Sequence, residues 1–371
     1  MKNFFKFAER GTSYKTETLA GITTFLSIAY ILIVNPIILS QSGMDQGAVF
    51  TATALTATIG TLLIGLLANF PIAIAPSMGL NSFFTFTVCI GMGIDWQITL
   101  TGVFVAGIIF MILSLFKIRE KIINIIPVDL KFAIAAGIGF FITFVGLKNG
   151  GIVVGNPDTF VSIGDLTSPS TLLAVLGIIL TVIMLVKGIN GGIFYAMVIT
   201  TIVGMIFGQI EIPSSIVGSI PSLEPTFGVV FGHLDEIFTP EILTVIFTFL
   251  IVAFFDTAGA LIGLTSQAGM MKDNKIPNIG KGLLADSAAG VVGAILGTST
   301  PATSVESSAG IAVGGKTGFT SVVIAACFVV ALFFSPLVSV ISVEVTSAAL
   351  ISVGALMAME ISKINWTKLE I

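Results

Sequence analysis

Residues 68–86, ANFPIAIAPSMGLNSFFTF, and residues 296–315, LGTSTPATSVESSAGIAVGG, decide the fold, because each interrupts an apolar stretch where a membrane-crossing helix should be continuous. Pro76 and Pro301 sit there amid small residues. A proline lacks a backbone donor and clashes with the preceding turn, so the spacing predicts a chain that arrives extended and then starts a half-helix. Such a half-helix turns unpaired backbone N–H groups and the positive end of its dipole toward the membrane centre. At an offset of 225 residues the two stretches place Pro76 on Pro301, Ser82 on Ser307 and Asn81 on Glu306.

Working outward from the two breaks, the composition is that of a membrane protein. Of 371 residues 55% are apolar and 10% charged, with 30 Phe and 40 Gly, against about 25% charged in an ordinary soluble domain. Mean hydropathy is +1.08. In hydrocarbon a backbone must satisfy its own hydrogen bonds, so an all-α polytopic membrane protein is expected. Apolar stretches of spanning length fall near 18–40, 48–69, 72–93, 98–116, 130–147, 170–187 and 189–208. After a polar loop, five more fall near 240–264, 282–298, 301–315, 317–340 and 343–361, making twelve. Threaded with the N-terminus inside, Lys2, Lys6, Arg10, Lys15, Lys117, Arg119, Lys121, Lys187, Lys272, Lys275, Lys281, Lys316, Lys363 and Lys368 share one side. Asp45, Asp95, Asp158, Asp165, Glu211, Glu224, Asp235 and Glu236 fall on the other, with Lys148 outside and Lys131 near the inner edge. Basic loops stay cytoplasmic. The expected placement is a multi-pass protein of a bacterial-type inner (plasma) membrane with a cytoplasmic N-terminus. The opening MKNFFKFAERGTSYKTE is charged over too long a stretch for a cleavable signal peptide.

The breaks belong to a repeat. Laid on 241–253 at an offset of 224, residues 17–29 match through Glu17, Leu19, Ile22, Thr24, Phe25, Leu26 and Ala29. That is seven identities in thirteen positions, where apolar sequence of biased composition gives roughly one or two. Seven segments separate the two starts, and an odd number means that the second copy enters the membrane from the other side. Inverted repeats mark secondary transporters, with the cargo site near the midplane where the copies meet. The first repeat has seven segments and the second five before Ile371, so two helices of a 7+7 plan are expected to be missing.

Two carboxylates lie deep in this pattern. Glu306 falls five residues after Pro301, about a turn into the second half-helix, and Asp256 is near the middle of LIVAFFDTAGALIGL, residues 250–264. A charge there costs at least about 2.5 kcal/mol even on insertion scales, which marks a cargo site or a proton relay. Asp286, in KGLLADSAAG, is close enough to a basic loop to serve a helix N-terminus instead. Asn81 offers donor and acceptor without charge. Together these groups suit a neutral, planar ligand with adjacent N–H and C=O edges. Phe83, Phe84, Phe254 and Phe255 are nearby stacking candidates, although with 30 Phe present any one is more often packing.

Other chemistries are excluded by absence. Cys89 and Cys327 lie in apolar runs with no CxxC, and His233 is the only histidine, so neither a metal site nor a resident cofactor is expected. No paired Asp, Ser–His or zinc set supports an intramembrane hydrolase. The net charge of −4 argues against a nucleic-acid partner. A channel is the third option, set apart from a carrier by whether uptake saturates and is competed by unlabelled cargo. An inorganic-anion carrier of similar architecture is the nearest rival, but Glu306 beside a half-helix N-terminus would repel its cargo.

The runs APSMGLNSFFTF (75–86), FFDTAGALIGL (254–264) and GTSTPATSVESSAGIAVGGKTG (297–318), with the opening YKTETLAGITTFLSIAYILIVNPIIL (14–39), resemble the nucleobase:cation symporter superfamily. Within it they are most similar to the AzgA-like branch of guanine, hypoxanthine and adenine permeases, which share the xanthine/uracil permease fold. The resemblance implies fourteen segments in two inverted repeats, with short strands before the half-helices of segments three and ten. It divides the chain into a core domain (1–117 and 240–340) and a gate domain (118–239 and a shortened 341–371). It implies a purine base as cargo at a site of Asn81, Asp256 and Glu306; Phe84, Phe255 and Thr303 are further candidates for that site, and the isolated carboxylates lead us to expect a proton on Asp256 or Glu306 as coupling ion, with sodium as the lesser option. A gate two helices short is expected to expose surface that a homodimer partner or further sequence would cover.

Overall fold

The computed structural model describes residues 2–116, 128–271, 276–364 and 366, with Val128 and Lys131 by backbone alone. Lys117, Arg119, Lys121, Lys272, Lys275, Lys368 and the expected boundary at 117/118 lie outside the described residues. In chain order the elements begin with α1 (Phe7–Arg10), α2 (Tyr14–Ile28), α3 (Ile31–Ser40) and α4 (Gln46–Leu67). Strand β1 (Ile74–Pro76) leads into α5 (Met78–Ser82), which continues as a π-helix over Phe83–Gly91. Then come α6 (Trp96–Leu115), α7 (Val128–Asn149), the hairpin β2 (Val153–Asn156) and β3 (Phe160–Ile163), α8 (Pro169–Val186) and α9 (Gly192–Ile206). The remaining elements are α10 (Pro240–Gln267), α11 (Ile279–Leu296), β4 (Pro301–Thr303), α12 (Ser307–Ala312), α13 (Gly318–Ala331), α14 (Ser335–Ser339) and α15 (Val343–Ala358).

Among the described residues nine helical stretches are long and apolar enough to cross a membrane. The other three expected segments are shorter pieces: the half-helix Met78–Gly91, helix α9, and β4 with α12. The chain forms two compact units, Met1–Asn124 with Ser215–Ser339, and Ile125–Ser214 with Val340–Ile371.

In the first unit the two strands cross as an antiparallel pair, with Pro76 opposite Pro301, Ala75 opposite Ala302 and Ile74 opposite Thr303. Proline has no N–H to give, so two prolines can face each other only at a non-hydrogen-bonded position of the ladder. The flanking bonds fit that register: Ser77 N donates to Thr300 O (3.1 Å) and Ser304 N to Ala73 O (2.9 Å). The two prolines equated by the 225 offset are therefore paired in space, as they must be if a pseudo-twofold axis passes between them.

Helices α3, α4, α10 and α11 contact the two strands, with α6 packed on α11 and α13 on α2 and α4. Between helices in lipid there is little hydrophobic drive, so close approach depends on small residues. At the α4–α13 contact a Cβ on Gly318 would lie 2.0 Å from the Gly65 carbonyl oxygen, which excludes every other residue there. The start of α13 is closed by Glu17, wholly buried. Its carboxylate accepts from Lys316 N (3.1 Å), Thr317 N (3.2 Å), Thr317 Oγ1 (2.8 Å), Thr320 Oγ1 (2.6 Å) and Thr12 Oγ1 (2.8 Å). A carboxylate at a helix N-terminus is favoured by orphan N–H groups and by the dipole. Arg10 donates to Lys316 O (2.5 Å) and Asn69 O (3.0 Å), holding the carbonyl side of the same turn. Burial lowers the Arg10 pKa from its ordinary value, and the Glu17 and Glu9 carboxylates oppose that shift.

The second unit packs α15 against α7 and α8, and α9 against α8. Gly354 permits the α7 contact, since a Cβ there would meet Thr143 Oγ1 at 2.4 Å.

Candidate functional site

The first apolar run is not one helix. Helix α2 ends at Ile28 and α3 begins at Ile31, so the run breaks at Ala29–Tyr30, and Pro36 lies further on, inside α3. The tight bonds Leu32 N to Ala29 O and Ile33 N to Tyr30 O, both 3.1 Å, carry the chain through the break. This leaves Tyr30, 2% exposed, pointing across the unit with its Oη donating to Glu306 Oε1 at 2.6 Å. Ser304 Oγ donates to the other oxygen, Oε2. Glu306 is half-buried at the start of α12, and hydroxyls from segments one and ten hold it on both sides.

Asp256 has an analogous anchor. Ser77, the residue preceding α5, donates from Oγ to Asp256 Oδ2 at 2.7 Å, tying the first half-helix to α10. Asp256 is also half-buried and within electrostatic reach of Asp286 and Glu306. The structure thus brings Asp256 and Glu306 to the two sides of the strand crossing, each fixed by a neutral donor and each with acceptor capacity left over.

Asn81 is set apart. It is fully buried, and its amide is engaged by Asn35 and Ser299 and not by either carboxylate. Phe84 is fully buried in the half-helix, whereas Phe255 is partly exposed and packs edge-on against Phe254 with centroids 5.7 Å apart. Thr303, 3% exposed in β4, carries a buried hydroxyl without a hydrogen-bond partner among the described residues. Asp286, 5% exposed, accepts from Thr257 Oγ1 at 3.1 and 2.9 Å, so it is a mid-helix group of α11 and not a cap. Beside it lies a cavity of about 10 Å³, lined by Asp286, Ser287, Thr300 and apolar residues of α6 and α10. Such a space holds one water and nothing larger.

Tyr30, Ser77, Ser304 and Asn35 were not singled out by sequence. A signal existed for two of them: Tyr30 is one of only three tyrosines and Asn35 interrupts a run of aliphatic residues next to a proline.

The sequence matches the Permease family over residues 15–370. It is 54% identical over 380 residues to the guanine/hypoxanthine permease PbuG of Bacillus subtilis, covering 100% of this chain and 86% of that protein. Against the adenine permease AdeP of Escherichia coli identity is 41% over 372 residues, covering 100% of this chain and 82% of the relative. In three dimensions the chain is similar to the transmembrane domain of a cyanobacterium bicarbonate transporter, BicA, with a TM-score of 0.70 and 17% identity over 96% of this chain and 91% of that one.

Proposed function

Because the chain belongs to the Permease family, we propose that it moves purine nucleobases across the membrane, with Asp256 and Glu306 as the acceptors of the base's N–H groups. What carries this reading is the pairing of two half-buried carboxylates on opposite sides of the Pro76–Pro301 crossing, each already oriented by a hydroxyl. A carboxylate offers about four lone-pair sites, so Asp256 with one donor and Glu306 with two keep room for a cargo edge. A neutral base with polarised N–H groups fits that surplus of acceptors, and an inorganic anion does not. Phe255 supplies a partly exposed aromatic face, and the unpaired hydroxyl of Thr303 is a further group for the cargo to engage. Phe84, wholly covered, is assigned to packing.

Uptake is proposed to be proton-coupled, with the proton on Asp256 or Glu306, and to proceed by alternating access around a fixed site. The protein is a carrier and not an enzyme. The excess of Lys and Arg on one side of the threaded spans supports a cytoplasmic N-terminus in a bacterial-type plasma membrane.

The test is uptake of labelled hypoxanthine into proteoliposomes under an imposed pH gradient, with Glu306→Gln as the variant. The unaltered protein should accumulate the base and be competed by guanine and adenine, and the variant should lose accumulation. Full accumulation by the variant would remove Glu306 from the site. Uptake that follows a sodium gradient without a pH gradient would overturn proton coupling.

A further inference from the structure

Building on the nucleobase-site reading, we propose that Asn81 is a positioning residue and not a cargo ligand, acting with Asn35 and Ser299 as a buried latch that spaces the donors of the two carboxylates. The polarity of the latch is fixed from one end to the other. Thr53 Oγ1 donates to Val49 O at 2.6 Å, so its proton is committed and it can only accept from Asn35. That places Asn35 Nδ2 toward Thr53 Oγ1 (2.7 Å) and Thr298 Oγ1 (3.0 Å), and Asn35 Oδ1 toward Asn81. Asn81 must then donate from Nδ2 to Asn35, which leaves its Oδ1 to accept from Ser299 Oγ. Asn35, Asn81, Thr53, Thr298 and Ser299 are all 0% exposed. Both polar ends of the Asn81 amide are therefore occupied by protein.

The backbone positions give the latch its purpose. Asn81 N donates to Ser77 O at 2.9 Å, and Ser77 is the donor to Asp256. Asn35 lies five residues beyond Tyr30, a donor to Glu306, and Ser299 lies five residues before Ser304, its other donor. Each hydroxyl that orients a carboxylate is thus a short stretch of chain away from a member of the same network. Breaking one bond removes a side-chain tie between segments one, three and ten that adds to the strand ladder, and both acceptors lose part of their aim together. A group that touches one edge of the base would act otherwise, since its removal would affect only the bases that present that edge.

The test uses Asn81→Ala, Asn35→Ala and the double variant of the full chain in nanodiscs. Dissociation constants for hypoxanthine, guanine and adenine are measured by calorimetry, with thermal unfolding followed in parallel. The expected result is a loss of roughly tenfold that is the same for all three bases in each single variant and no larger in the double variant, as for residues acting as one unit. Should Asn35→Ala not fold, Ser299→Ala removes a single hydroxyl and must give the same uniform loss. A changed ranking of the three bases in Asn81→Ala, with the ranking kept in Asn35→Ala, would make Asn81 a direct ligand and overturn the proposal. A lowered unfolding temperature with unchanged dissociation constants would assign the network to stability alone and also overturn it. If the unaltered protein binds none of the three bases, the nucleobase reading itself falls, and this inference with it.

Discussion

Replacing Tyr30 with Phe removes one oxygen from a ring that is 2% exposed and leaves its apolar packing in place. The lost bond is Oη to Glu306 Oε1, 2.6 Å long, while Ser304 still holds Oε2. A hydrogen bond to a charged acceptor contributes about 1.5–3 kcal/mol, which is the ceiling for the effect. The part that reaches cargo affinity is smaller. A glutamate fixed from free rotation gives up about 1.5–2 kcal/mol of side-chain entropy, and with two anchors that ordering precedes binding. Losing one of two anchors returns about half of it, roughly 1 kcal/mol, or about fivefold in Kd. Calorimetric titration of hypoxanthine into Tyr30→Phe in nanodiscs should therefore show about fivefold weaker binding. The sign is the decisive part. If the base instead displaced the tyrosine hydroxyl from Oε1, the variant would spare the cargo that competition and bind more tightly. An equal or tighter Kd refutes the view that Tyr30 orients Glu306 for its cargo.

Glu17→Ala should lower the unfolding free energy by at least about 3 kcal/mol, because it strands two backbone N–H groups and several hydroxyls at the dry start of α13; chemical denaturation in detergent showing a loss below about 1 kcal/mol would contradict the capping role. Gly318→Ala should cost about 1–3 kcal/mol or block folding by driving a methyl into the Gly65 carbonyl. Gly263→Ala, in α10 with nothing within 4 Å of the added carbon, should be neutral or slightly stabilising in the same measurement.

The strand crossing was legible in sequence because its cause is local. Two prolines amid small residues stop a helix wherever they occur, and the 225 offset already named the pair that the register joins. Glu306 and Asp256 were legible for a similar reason, since an isolated carboxylate in an apolar run stands out without any knowledge of its surroundings. Their partners were hidden by sequence distance: Tyr30 meets Glu306 across 276 positions and Ser77 meets Asp256 across 179. Hydroxyls and amides are cheap enough in a membrane helix that a hydropathy reading passes over them. The π-helix of Phe83–Gly91 left no pattern either, because the extra residue per turn is set by tertiary packing. The repeat also hides divergence. Glu17 and Glu241 are identical by alignment, yet one caps α13 in full burial and the other is exposed near the start of α10.

That divergence bears on how one architecture serves different cargoes. A structure 17% identical to this chain shares its fold and belongs to a bicarbonate transporter, so crossed strands and half-helices do not by themselves select a purine or an anion. The half-helix N-termini contribute positive potential in either case. What can reverse the preference is a side chain placed at that end. Here the residue at the start of α12 is Glu306, whose carboxyl oxygens accept where the backbone N–H groups donate. With Asp256 as the second acceptor of the proposed site, the balance there moves from attracting acceptors to attracting donors. Its symmetry mate in the first repeat is the uncharged Asn81, buried and bonded within the protein. The repeat therefore keeps the frame twofold while the chemistry is one-sided, and a cargo with different donor and acceptor edges needs a site without that symmetry.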